Sequence, residues 1–83
     1  MMRILKFSAD WCQPCKVVDP IVRDLTQELN LNLEAINVSN QRNIFEKYGV
    51  KTVPTIIVEE EGQEIKRHTG MISRKKLRDF LTH

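Results

Sequence analysis

The chain has 83 residues, 41% of them hydrophobic and 29% charged, with 13 Lys and Arg against 11 Asp and Glu for a formal charge of +2. A chain of that length lies near the lower limit for folding without metal or cross-links, so a single domain over residues 1–83 with one site is expected. So weak a charge gives no argument for nucleic-acid binding, and no apolar run approaches the roughly 20 residues that span a bilayer; neither nucleic acid nor membrane is expected as a partner.

In MMRILKFSAD the apolar run Ile4, Leu5 and Phe7 predicts a strand over residues 3–9. The same stretch has a single Arg and too short an apolar run for the core of a secretory signal, so the expected compartment is the cytoplasm. From about Cys12 to Leu29 the period becomes helical. Val18, Ile21, Val22, Leu25 and Leu29 form one stripe, with Asp19, Arg23, Gln27 and Glu28 between them. Pro20 lies inside and is expected to kink this helix rather than break it.

After Asn30, LNLEAINV over residues 31–38 returns to a strand pattern, parallel to the first because a helical crossover joins them. Ile44, Phe45 and Tyr48 mark a short helix after the capping residues Ser39 and Asn40, with Gly49 as its C-terminal cap. Pro54 opens a third strand, TIIVEE; Gly62 suits a turn, and EIKRHT supplies a fourth strand, giving an antiparallel hairpin over residues 55–69. Gly70 ends it, and Ser73 caps a last helix whose stripe is Leu77, Phe80 and Leu81. The order β-α-β-α-β-β-α predicts an α/β domain, a four-stranded mixed sheet with helices on both faces.

The only two cysteines stand in WCQPCK. A disulfide staple works by closing a long loop in the unfolded chain, and this pair closes almost none. In a reducing compartment such a pair is catalytic or metal-binding. Zinc needs four ligands, and the only other soft candidates are His68, in the predicted fourth strand, and His83, at the C-terminal end; no metal is expected. Cys12 falls where strand gives way to helix, so its sulfur can face unpaired amide hydrogens and the positive end of the helix dipole, which favours thiolate. Cys15 shares that face and lies within disulfide reach. Cys12 is then expected to attack a disulfide in another molecule and Cys15 to resolve the mixed disulfide. Pro14 is tolerated in the first helical turn and stiffens the loop. Trp11 is either a core residue or a rim against which a partner docks. The clusters Glu59 to Glu61 and Arg74, Lys75, Lys76 and Arg78 read as solvated faces.

FSADWCQPCK followed by Pro20, then KYGVKTVPT, then Gly70 after the last strand, resembles the thioredoxin family in order and spacing over nearly the whole chain. A C-x-x-C beside a βαβ pattern is that family's usual recognition mark, so the flanking residues carry the argument. The resemblance implies a minimal thioredoxin fold and a protein-disulfide reductase or dithiol electron carrier. Its redox centre would be a reversible Cys12–Cys15 disulfide, with no other cofactor. It also implies that Pro54 is cis, that Val53 offers its backbone to an extended substrate, and that Trp11, Gln13, Pro14, Val53, Pro54, Gly70 and Met71 form the docking surface. For Gly70 a plain strand-ending turn is the alternative. The implied partners are disulfide-bearing proteins, with ribonucleotide reductase as a family-level example, and a thioredoxin-reductase-type donor; a monomer is the default.

Three departures from the family stand out. The chain begins at what would be the family's second strand, which leaves a size closer to glutaredoxin and a barer sheet edge. Gln13-Pro14 replaces the usual Gly-Pro. Lys6 stands where the family carries a buried aspartate that helps move the resolving thiol's proton, and Ala35 where that aspartate's lysine partner would be. Either Lys6 reaches the site from below and acts on Cys15 as a further catalytic residue, or it snorkels to solvent at the bare edge. The rival functions are a glutaredoxin-like, glutathione-dependent disulfide reductase and a non-catalytic adaptor module.

Overall fold

A computed structural model describes residues 2–83. The elements follow the predicted order: β1 (Met2–Ser8), α1 (Gln13–Glu28), β2 (Asn32–Asn37), α2 (Arg42–Tyr48), β3 (Thr55–Glu60), β4 (Gln63–Thr69) and α3 (Arg74–Thr82). They form a four-stranded sheet in the order β2-β1-β3-β4. β1 runs parallel to β2 and antiparallel to β3, and β3 antiparallel to β4. Both middle strands, β1 and β3, are thus paired on two sides, and β2 and β4 are the edges.

Alternation along β1 divides the core in two, because successive side chains leave a strand on opposite faces. Ile4 packs on one side with Val18, Val22 and Leu25 of α1 and Leu77 and Leu81 of α3. Leu5 and Phe7 face the other side and pack with Ile36, Phe45, Val50 and Ile57. There Phe7 meets the Phe45 ring edge to face at 5.0 Å. Each such side chain contributes about 1.5–3 kcal/mol by leaving water. The two half-cores hold α1 and α3 on one face and α2 on the other.

α1 continues through Pro20 without a break. The start of α2 differs from expectation. Its N-cap is Gln41, not Ser39 or Asn40, and Gln41 makes no side-chain cap bond. Asn37 explains the displacement: its Oδ1 accepts the Ser39 N–H at 2.9 Å while its own N–H donates to Gln41 Oε1 at 3.2 Å. A side-chain turn of this kind holds residues 37–40 out of the helix. Gly49 is the C-cap of α2, as predicted. The hairpin turn is Glu61-Gly62, both left-handed at φ 52° and 81°, the geometry that a two-residue loop between twisted strands requires. Ser73 caps α3 by accepting the Lys76 N–H at 3.2 Å.

Glu59 is not part of a solvated face. It is 3% exposed and points, with Leu5, Phe7 and Ile57, to the α2 side. Arg3 Nη2 lies 2.7 Å from its Oε1, Tyr48 donates its hydroxyl hydrogen to Oε2, and Arg3 Nη1 also holds Glu34 Oε1 at 2.7 Å. Burial pushes the Glu59 carboxyl up, and the bonds from Tyr48 and Arg3 more than offset that, so it stays below the usual carboxylate range. The bond to Glu59, helped by burial, raises the Tyr48 phenol. In the basic cluster, Arg78 and Arg74 reach back from α3 to Glu28 and Asp24 of α1. No helix among the described residues is long and apolar enough to cross a membrane.

Candidate active site

The site lies where β1 ends and α1 begins. The Cys12 N–H donates to the Ala9 carbonyl at 3.2 Å, which turns the chain sharply after the strand. Cys12 then serves as the N-cap of α1, in extended backbone, and its Sγ accepts the Cys15 N–H at 3.1 Å. The sulfur occupies the place an Asp or Ser oxygen takes in an ordinary cap. A thiolate at this position faces an amide that has no acceptor within the helix, and the positive end of a helix of 16 residues. Cys12 and Cys15 are joined in a disulfide with their Cα atoms 5.3 Å apart. Cys15 is 1% exposed and Cys12 4%, so Cys12 is the less covered of the two.

A second wall comes from the segment before β3. The Val53–Pro54 bond is cis, as the resemblance implied. Val53 and Val38 pack against Ala9, Cys12 and Cys15. The Gly70 N–H donates to the Pro54 carbonyl at 2.9 Å, so the residue ending β4 is fixed to the cis segment. Trp11 is 73% exposed, which removes the core-packing alternative. Together with Val38, Phe45, Val50 and Val53 it lines a cleft of about 220 Å³ beside the pair. Gln13 and Pro14 are exposed at the start of α1. Met71 is exposed but lines a different cleft, about 920 Å³, with Val17 and Ile21 of α1 and Phe80 of α3. Among the described residues, no group of three or more His, Cys, Asp or Glu could hold a metal ion.

Lys6 does not snorkel from a bare edge. It lies in an interior strand between Ala35 and Ile56, its side chain is 12% exposed, and its Nζ lies 3.3 Å from Asp19 Oδ2. Asp19 is the residue that sequence reasoning placed on the polar face of α1 and did not single out. The available signal was its position, four residues after Cys15 and so on the same helical face.

The thioredoxin family model matches residues 2–83. A thioredoxin of Chlamydia pneumoniae is 33% identical over 81 residues, covering 96% of this chain and 76% of that protein. One of Buchnera aphidicola is 30% identical over 80 residues, covering 94% and 73%. The X-ray structure of Fasciola hepatica thioredoxin aligns with a TM-score of 0.89 at 29% identity, covering 98% of this chain and 78% of that one. A match that runs through every described element, around a cysteine pair at the head of α1, means that the chain belongs to the thioredoxin family and is a thiol-disulfide oxidoreductase acting on protein disulfides.

Proposed function

We propose that Cys12 is the attacking thiolate and Cys15 the resolving thiol of a cytoplasmic reductase of protein disulfides, recharged by a thioredoxin-reductase-type donor. The observation that carries the assignment is the bond from the Cys15 N–H to Cys12 Sγ. Of the two sulfurs, the one seated on the helix N-terminus is the better stabilised as an anion. Cys12 attacks one sulfur of the substrate disulfide, and the other leaves with the electron pair. Cys15 then attacks Cys12, the mixed disulfide breaks, and the second substrate sulfur leaves reduced while Cys12 and Cys15 become joined. The substrate lies extended beside the Val53 backbone, bordered by Trp11, Gln13, Pro14 and Gly70. The exposure of Trp11 and the bond from Gly70 to Pro54 support that path.

The test uses insulin as a disulfide substrate. Cys15→Ser is expected to accumulate a covalent adduct at Cys12, seen by mass and removed by dithiothreitol, whereas Cys12→Ser forms none. An adduct on Cys15 in Cys12→Ser, with none on Cys12, would reverse the roles. Rapid recycling of the oxidised protein by glutathione alone would favour the glutaredoxin-like reading. Host function retained by the Cys12→Ser, Cys15→Ser double variant would favour the adaptor.

A further inference from the structure

We propose that Asp19 takes the proton from Cys15 during resolution and that Lys6 holds its carboxylate in position, an assignment that rests on the dithiol reading above. Cys15 is all but sealed from solvent. Its thiol must nevertheless lose a proton before it can attack, because the thiolate is the nucleophile. A base within the fold is needed beside it.

Asp19 meets that need by place and by chemistry. It follows Cys15 by four residues on α1, which brings the two side chains to one face with Cβ atoms about 5–6 Å apart. Helical side chains lean toward the N-terminus, so the carboxylate extends over the turn that holds Cys15. Its two oxygens have different surroundings. Oδ2 lies 3.3 Å from Lys6 Nζ, while Oδ1 is buried and accepts no hydrogen bond from the protein. Among the described residues it is the one buried side-chain oxygen or nitrogen left in that condition. An unused buried acceptor costs about 1–3 kcal/mol, a cost that a role in proton transfer would explain.

The charged neighbours fit. Lys6 comes from β1, beneath the helix. On α1 itself Lys16 and Arg23 flank Asp19 at exposed positions. From α3, Arg74 and Arg78 pair with Asp24 and Glu28, farther along the helix. β2 and β3 place the uncharged Ala35 and Ile56 beside Lys6. In the step itself Cys15 Sγ gives its proton to Asp19 Oδ1 and bonds to Cys12 Sγ. The bond from Cys12 to the substrate sulfur breaks, and that sulfur leaves with the electron pair and takes a proton from the protonated carboxyl or from water. The two protein sulfurs end oxidised and the substrate sulfur reduced.

Reduced protein mixed with dithiobis(nitrobenzoate) separates the steps. One thionitrobenzoate is released when Cys12 attacks and a second when Cys15 closes the protein disulfide. Asp19→Asn is expected to slow the second release about tenfold at neutral pH, less than the roughly hundredfold typical of general-base catalysis because water still competes for the proton. The first release should be unchanged, and Asp19→Glu should recover part of the loss. In Lys6→Gln the carboxylate is no longer held in position, so the second release should slow while the first is unchanged, and Lys6→Arg should recover part of the loss. A second phase with unchanged rate in Asp19→Asn overturns the assignment, as does an unslowed second phase in Lys6→Gln should the asparagine variant fail to fold. Equal slowing of both phases also overturns it. A wild type that releases only one equivalent overturns the dithiol reading itself and this assignment with it.

Discussion

Gly70 is bonded through its N–H to the carbonyl of Pro54 at 2.9 Å, which ties the end of β4 to the cis segment beside the cysteines. Gly70 has φ +98°, and a Cβ added there would meet nothing within 4 Å. Gly70→Ala is therefore opposed by backbone strain rather than by crowding. It is expected to cost about 1–3 kcal/mol, read from the urea midpoint. Displacing Pro54 should also lower kcat/KM for a protein disulfide more than the rate with a small disulfide reagent. Equal effects on both substrates would remove Gly70 from the docking surface.

Trp11 stands clear of the core, so Trp11→Ala should leave stability within about 0.5 kcal/mol of wild type. Its contribution belongs to contact with substrate. KM for insulin should rise on the order of tenfold, the scale of an aromatic hot spot, with the Cys12 alkylation rate unaltered.

The Arg3, Tyr48 and Glu59 network makes stability depend on pH from both sides. The Glu59 carboxyl lies below its ordinary value of 4.5, so its contribution is present above that range and is lost as pH falls through the folded value. The Tyr48 phenol lies above its ordinary value of 10.0, so its contribution is present below that and is lost as pH rises through the folded value. Tyr48→Phe should flatten the alkaline limb and cost about 1–2 kcal/mol at neutral pH by leaving Glu59 one bond short. Glu59→Gln should flatten both limbs. Urea midpoints across the pH range measure this, and an unchanged acid limb in Glu59→Gln would reject the account.

α3 supplies part of the core on the α1 side of the sheet. Leu77 is fully buried against α1, and Leu77→Ala should cost about 2–5 kcal/mol. Ser73→Ala removes a cap worth about 1 kcal/mol. Neither should shift the Cys12 thiol titration, followed by iodoacetamide alkylation against pH.

Apolar patterning made the order of elements legible, since the short run Ile4, Leu5 and Phe7 marks a strand and Val18 to Leu29 and Leu77 to Leu81 carry helix spacing. The head of α1 was equally legible, because a cysteine at a strand-to-helix junction has few places to point its sulfur. The start of α2 was not: Asn37 closes a turn on Ser39, a choice between two satisfactory hydrogen-bonding patterns that composition does not decide. Glu59 was misread because a run of three glutamates looks solvated, although strand alternation puts the first of them on the same face as Ile57. Lys6 stood out in the sequence as a departure from the family, but Asp19 looked like one more polar position on α1. Their pairing depends on how α1 crosses β1, which is a property of packing and not of either segment.

Cys12 caps α1 with the same atom that exchanges electrons. A thiolate is a stronger hydrogen-bond acceptor than a disulfide sulfur, so the bond that caps the first helical turn is stronger with a Cys12 thiolate than with the disulfide. Folding and redox chemistry here form two sides of one thermodynamic cycle. The difference in unfolding free energy between the reduced and oxidised proteins must equal the displacement of the pair's potential from that of the same dithiol in the unfolded chain, about 30 mV for every 1.4 kcal/mol. Any substitution that favours the cap in one state, even one far from substrate, thereby retunes the enzyme as an electron donor.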